Sequence, residues 1–146
     1  MMDDAEARIA GKENWEIFYD ISGDIGAYLL CDPAGTDYEY RIYVKGDMSP
    51  GYLYEESGHY DPEDTEIGDR ISLEVAAFSY GEKGNALISM NKKKVAKIEI
   101  TNTEGETEVV ECDSEKPFAV AVPSDAESFV LYDADGQEVE VSVIAR

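Results

Sequence analysis

The sequence predicts an all-β protein: an antiparallel β-sandwich of two sheets, Ig-like or jelly-roll-like, built from about ten short strands. Three observations support this fold class. Apolar and polar residues alternate along most of the chain, as at Val139, Val141 and Val143; turn residues recur at close intervals; and no long segment has helical spacing. Because successive side chains of a strand point to opposite faces, this alternation is typical of sheets with one buried and one wet face.

The first three predicted strands cover residues 15–21, 27–31 and 38–45. The second is apolar almost throughout, which indicates a more fully buried strand. It ends at a turn that contains Pro33 and Gly35, where proline fixes φ and glycine accepts a positive φ. The residues expected to share a face are Trp15, Ile17, Tyr19 and Ile21 in the first strand, and Tyr38, Tyr40, Ile42 and Val44 on the inward face of the third.

The later strands are short and separated by regular turns. Pro123 ends one of them, because proline lacks the N–H that a central ladder requires. Asp135 and Gly136 form a strong signal for a hairpin turn. The predicted strands are 71–79, 86–90, 98–100, 109–112, 118–122, 129–132 and 138–143.

The length of the chain favours one domain. With 146 residues, 43% of them hydrophobic, it can bury a substantial core. We expect residues 1–14 to form an N-terminal arm or a short helix, since Ala5 and Ile9 lie four residues apart, and residues 15–146 to form a single β-sandwich domain. A split near Asn91 into two small β domains is the alternative.

The charge is strongly negative. The chain has 33 Asp and Glu against 12 Lys and Arg, a net charge of −21 at pH 7. Such a surface repels phosphate backbones and anionic lipids at long range, so we expect no nucleic acid among the partners. Two explanations of this charge are open. Acidic faces are common on secreted and cell-surface sheet proteins, and a halophile would acidify all of its proteins. We prefer the explanation by a secreted or cell-surface location.

The C-terminal third has a distinctive pattern of strand and turn residues. It comprises Val95, Ile98, Glu99, Ile100, Gly105, Pro117, Phe118, Val122, Pro123, Tyr132, Asp133, Gly136 and Val139. This pattern resembles a β module of uncharacterised secreted or lipid-anchored proteins of Gram-positive bacteria. The resemblance implies a location in the cell envelope and brings no catalytic or binding residues with it.

The alternation stops over residues 47–69. Structureless connections of this length are uncommon in compact domains and are usually either functional or disordered. Tyrosines give large amphipathic contact area with few rotors, and serine and glycine allow adaptable backbone placement, a mixture that binding loops use. A tyrosine-bearing hairpin or edge strand that covers the core is the alternative. The candidate binding residues are Tyr52, Tyr54, His59 and Tyr60.

The same segment is rich in carboxylates. Calcium takes six to eight oxygens, so convergence of these groups would bind Ca²⁺, the only cofactor the sequence suggests. The spacing does not fit an EF-hand, because Glu66 stands where glycine is needed and Ser72 where the bidentate glutamate would be. A solvated acidic loop is the other interpretation. The carboxylates are Asp61, Glu63, Asp64, Glu66 and Asp69.

Cysteine and histidine usage argues against an enzyme. Cys31 and Cys112 are the only cysteines and His59 the only histidine, which is a poor basis for a zinc site or a cysteine nucleophile. No motif for a nucleophilic serine, a zinc protease or a phosphate loop is present. A disulfide between Cys31 and Cys112 and a pair of free thiols are both compatible with the sequence.

No stretch has the roughly 18 apolar residues that span a bilayer, and the N-terminus lacks a signal pattern. The two initial methionines before acidic residues are consistent with a start joined to a segment whose signal or lipid anchor was removed. We therefore expect a secreted or cell-envelope protein without direct membrane insertion.

Together these observations favour a non-catalytic extracytoplasmic binding or adhesion module that contacts glycan or a partner protein at the cell surface through the Tyr-rich acidic segment. A structural or assembly subunit without a small ligand is the alternative, with an oligomer formed at an edge strand and sensitive to the charges of Lys92–Lys94. A carboxylate-dependent hydrolase ranks third.

Overall fold

In the computed structural model of the protein, residues 14–45, 52–59 and 70–145 are described, the second range by its backbone alone. They form twelve strands, with a 3-10 turn at Gly81–Lys83. The strands are β1 Glu16–Ser22, β2 Ile25–Cys31, β3 Tyr38–Lys45, β4 Tyr52–His59, β5 Ala76–Ser79, β6 Asn85–Ser89, β7 Val95–Asn102, β8 Thr107–Glu111, β9 Phe118–Val122, β10 Ala126–Asp133, β11 Glu138–Val139 and β12 Ser142–Ala145.

The all-β class is confirmed, but the prediction of two sheets is wrong. The described strands form three four-stranded sheets: a first sheet in the order β1-β2-β3-β4, a middle sheet in the order β12-β5-β6-β9, and a third sheet in the order β11-β10-β7-β8. Every described pairing is antiparallel except that of β12 with β5, which is parallel.

The middle sheet is buried on both faces, which is why two sheets do not suffice. Along β6, Ala86 and Ile88 belong to one hydrophobic cluster, whereas Leu87 belongs to another. In β9, Ala119 and Ala121 face the first cluster and Val120 the second. Strands covered on both faces are apolar without interruption, and the sequence of β9, FAVAV, has this composition.

The first core lies between the first and middle sheets. The inward face predicted for β3 is confirmed, since its apolar residues belong to this cluster together with residues of β5, β6 and β9. Tyr40 stacks on Phe78 across the interface, with ring centroids 5.3 Å apart. Offset aromatic pairs at this separation add to the free energy gained by burial.

The second core lies between the middle and third sheets. Its fully buried members include Leu87, Val95 and Ile98, and Val110 and Phe129 pack against them. The middle sheet combines strands from both sides of Asn91, with β5 and β6 before it and β9 and β12 after it.

A polar contact holds the crossover between these two sheets. Asn91 is 4% exposed and has a φ of 62°. Its Oδ1 accepts from the Val95 N–H at 2.7 Å, and its Nδ2 donates to the carbonyls of Val95, Asp113 and Lys116 at 2.9–3.2 Å. One buried amide thus joins the start of β7 to the loop between β8 and β9.

Two predicted strands have the wrong extent, for different reasons. Residues 70–72 are helical, so only 76–79 of the predicted strand 71–79 is extended. The predicted strand 138–143 is two strands in two sheets: β11 pairs with β10, and β12 with β5. Alternation persists through the crossing because Val139 and Val141 pack against the second core, but Val143 is 62% exposed and Ile144 is the buried residue of β12.

The turns agree better with the sequence. β10 and β11 form the predicted hairpin, in which the Asp133 carboxylate accepts from the N–H groups of Asp135 and Gln137, both at 2.9 Å. At the end of β2, the Asp32 carboxylate accepts in the same way from the N–H groups of Thr36 and Asp37. Such side-chain contacts replace the backbone hydrogen bonds that a turn gives up.

A candidate binding face on the first sheet

The first sheet has a hydrophobic cluster on the face opposite its core. In β2, Leu29 points into the first core, and Tyr28 and Leu30 point the other way. Both outward residues are fully buried, and Trp15, Ile17 and Tyr43 pack against them. We call these five residues the outward cluster.

The local sequence explains the cluster. Register pairs Ile17 with Leu30 and Tyr19 with Tyr28, so the alternating apolar residues of β1 lie on the outward face of the sheet. Their alternation is confirmed, but they do not form part of the core, to which β1 contributes only the partly buried Phe18. The face predicted for residues 15–21 therefore contributes Trp15 and Ile17 to the outward cluster.

The aromatic members are arranged side by side. The rings of Tyr28 and Tyr43 have centroids 6.2 Å apart and are tilted by 31°. Trp15 and Tyr43 are half-buried and Tyr19, at the edge of the face, is 54% exposed. A tyrosine or tryptophan presents an apolar ring together with a polar group, so this face offers both stacking surface and hydrogen-bonding atoms.

Three of the predicted site residues lie next to this face by register. β4 pairs with β3, with Tyr52 opposite Lys45, Tyr54 opposite Tyr43, and His59 opposite Glu39. Part of the connection predicted over 47–69 is therefore a strand at one end of the first sheet. Tyr60 lies outside the described residues.

The carboxylates predicted to converge on calcium, residues 61–69, also lie outside the described residues. Within the described ranges, no group of three or more His, Cys, Asp or Glu side chains is placed to hold a metal ion.

The cysteines lie in different cores. Cys31 is buried in the first core and Cys112 packs against the second, and both thiols are free. The predicted alternative of a Cys31–Cys112 disulfide is thus not formed in this structure. Burial raises the pKa of both thiols to about 11; for Cys31 the nearby carboxylates of Glu16 and Asp32 contribute further. Thiols in this condition are poor nucleophiles at neutral pH.

Asp20 is a charged residue on the inward face of β1. Its carboxylate accepts from the Ala121 N–H of β9 at 2.9 Å and from the Ile21 N–H at 3.0 Å. Burial raises the pKa of Asp20, the two hydrogen bonds oppose this rise, and the negative charge of Glu108 adds to it. Asp20 thus bridges the edges of the first and middle sheets.

Among the lysines at positions 92–94 and 97, Lys94 and Lys97 have intramolecular partners. Lys92–Lys94 form the turn between β6 and β7, where Lys94 Nζ lies 2.8 Å from Glu115 Oε2. Lys97 lies 3.6 Å from Glu99 and 4.9 Å from the ring centroid of Tyr132. Three of these lysines therefore lie in a turn, and Lys97 lies on the outward face of β7.

Sequence reasoning missed Tyr28, Leu30 and Tyr43 as members of a hydrophobic cluster on the outward face. A signal for the first two was present: alternation fails in Tyr28-Leu29-Leu30-Cys31, because apolar residues occupy both faces of the strand. Tyr43 carried no such signal, since a lone outward tyrosine is ordinary on a sheet surface.

Among the described residues, no helix is both long and apolar enough to cross a membrane. Comparison with protein-family models, with curated proteins and with solved structures finds no match.

Proposed function

We propose that this protein is a non-catalytic binding or adhesion module of the cell surface, and that the outward face of the first sheet contacts a glycan or a partner protein. The observation that carries the proposal is the outward cluster itself: the partly buried Trp15, Ile17 and Tyr43 pack over the fully buried Tyr28 and Leu30 on the side of the sheet that does not face the core.

The chemistry of this face suits such a ligand. Trp15 and Tyr43 pack against the buried pair and are themselves half-buried. The register of β4 pairs Tyr54 with Tyr43 and Tyr52 with Lys45. Aromatic rings stack on the apolar C–H face of a sugar or on the apolar side chains of a protein, while their polar groups orient the contact. Aromatic-rich patches on a folded surface commonly mark interaction sites.

The test uses glycan arrays and pull-down experiments with the full chain. We expect a variant with Tyr52→Ala, Tyr54→Ala and Tyr60→Ala to lose at least about tenfold in affinity for any ligand found, since truncating aromatic contacts is costly at binding sites. The matched control is Tyr132→Ala, a tyrosine on β10 of the third sheet that is half-buried beneath Lys97.

Unchanged binding in a folded triple variant would rule out a contact through Tyr52, Tyr54 and Tyr60. An equal loss in the Tyr132→Ala control would also count against it, because the effect would then not be specific to the first sheet. Trp15, the only tryptophan, provides a further readout: a ligand on the outward cluster should alter its fluorescence emission.

A further inference from the structure

The terminal strands of the three sheets meet on one side of the molecule. β1, β9 and β8 each end the order of their sheet. Cavities of about 370 and 350 Å³ lie between them and share Tyr19, Val110, Ala119 and Val120 in their linings. A smaller one of about 200 Å³ continues past Pro123. Together they form a groove along β9, here called the β9 groove.

The floor of the groove is a strand edge. β9 pairs only with β6 among the described strands. In an antiparallel ladder, alternate residues direct their N–H and C=O groups to opposite sides of the strand. Because the Ala121 N–H reaches Asp20 on β1 and not β6, Ala119 and Ala121 are the residues whose backbone polar groups point toward the groove.

The walls of the groove are apolar and its rim is acidic. Tyr19 and Ile21 of β1 are 54% and 47% exposed, and both line the groove. The lining also holds several carboxylates and one lysine, Lys116, whose Nζ lies 3.8 Å from Glu16. The acidic residues are Asp20, Glu106, Glu108, Glu111, Asp113 and Asp125.

We propose that the β9 groove binds an extended, cationic segment of a partner protein in which apolar residues alternate with lysine or arginine. An extended segment matches the period of two, so one set of side chains contacts Tyr19, Ile21 and Val110 while the other set reaches the carboxylates. The acidic rim repels nucleic-acid phosphates. A second copy of this chain is disfavoured for the same reason, since each carries a net charge of −21.

The experiment measures binding of synthetic octapeptides to the full chain. A peptide of four Lys-Val repeats should bind saturably, and the backbone amide shifts observed by NMR should be confined to β1, β8 and β9. A peptide of four Glu-Val repeats should not bind, because its charges match the rim. A peptide of four Lys-Ser repeats should bind at least about tenfold more weakly, because it lacks the apolar contacts.

Charge variants locate the contact. Glu108→Gln with Glu111→Gln should weaken binding of the Lys-Val peptide about tenfold. The matched control, Glu138→Gln with Glu140→Gln, changes the same charge at the opposite end of the third sheet, where β11 lies. It should weaken binding less than about twofold, since only the long-range field changes.

The proposal is overturned if both pairs of substitutions weaken binding equally, or if the Lys-Ser peptide binds as well as the Lys-Val peptide. Either result would reduce the interaction to general attraction between opposite charges. Absence of saturable binding, or self-association of the chain through β1, β8 and β9, would also overturn it. Among the described residues, the outward cluster shares only Ile17 with the lining of the groove, and the glycan and pull-down experiments test that cluster separately.

Discussion

The first and third sheets cover opposite faces of the same middle sheet, yet their own outward faces differ. The third sheet presents Lys97, Glu99 and Val109 outward, all half-buried or exposed. The first sheet has Tyr28 and Leu30 on that side, both fully buried beneath the partly buried Trp15, Ile17 and Tyr43. A covering layer needs only one apolar face, so the third sheet does what the fold requires and the first carries additional apolar surface. The aromatic residues that cover this additional apolar layer, Trp15 and Tyr43, are what make the first sheet the candidate binding face.

The sheets are also attached to the middle sheet differently. The third is held at its start by the neutral, buried amide of Asn91, whereas the first is bridged at its edge by the ionisable carboxylate of Asp20. The following experiments examine these contrasts.

Asn91→Ala should have the largest effect on stability, a loss of about 4 kcal/mol. It removes the partner of the buried Val95 N–H and of three carbonyls, and alanine tolerates a positive φ less well than asparagine. Urea unfolding measures the loss. The matched control is Asn102→Ala, whose amide oxygen accepts from Glu104 and Glu106 in an exposed turn; it should cost about 1 kcal/mol. Similar losses for the two variants would mean that the buried amide does not secure the third sheet.

Leu30→Ala tests the contrast between the outward faces. We expect a loss of about 3 kcal/mol in the free energy of unfolding, as for a core leucine, because Leu30 is fully buried. Val109→Ala, on the outward face of the third sheet at 50% exposure, should change stability by less than about 0.5 kcal/mol. A small effect at Leu30 would show that the outward cluster contributes little to folding.

Asp20→Asn tests the ionisable bridge. The pKa of Asp20 is raised in the folded protein, so protonation of Asp20 favours the folded state. This contribution to the free energy of unfolding is complete below the ordinary carboxyl pKa and is lost as pH rises through the raised pKa. The amide keeps an oxygen for the Ala121 N–H and does not titrate. The variant should therefore gain stability relative to the parent protein as pH rises from 3 to 7. A difference that stays constant with pH would contradict this account.

The smallest expected effect is on the reactivity of the two thiols. Cys31 lies in the first core and Cys112 packs against the second. With pKa values near 11, the thiolate fraction at neutral pH should be about a hundredfold below that of an ordinary cysteine. Alkylation followed by mass spectrometry should label neither Cys31 nor Cys112 rapidly in the native protein, and both after denaturation without reductant. Failure to label the denatured chain would indicate a disulfide.

The sequence allowed the strands and turns to be predicted better than their assembly. Alternation placed Tyr38, Tyr40 and Ile42 on one face correctly, because burial of that face is what produces the pattern. It could not show that Ile17 and Tyr19 face away from the core, since a period of two gives the same pattern for either face. At 138–143 the pattern continued across a change of sheet because Val139 and Val141 pack against the second core from the connection between β11 and β12.

The candidate site was harder to predict than the fold. The aromatic content of residues 52–60 predicted a binding segment there. The structure places β4 at one edge of the first sheet, with Tyr54 opposite Tyr43 of the outward cluster. The β9 groove had no signal in the sequence. It depends on β1, β8 and β9 meeting at one side, and pairing partners that are distant in the chain are not encoded in local periodicity.

The parallel pairing of Ser142–Ala145 with Ala76–Ser79 has a consequence for how the chain reaches its native state. The middle sheet, against which both cores form, needs β5 and β6 as well as β9 and β12, so its completion requires a strand that lies far from β5 in the chain. Contacts between segments so distant in sequence slow folding, because a long loop must close before the contact is gained. Nascent chains will therefore expose the apolar strands β6 and β9 before β12 is available, and the many carboxylates of this protein will help keep those intermediates apart from one another.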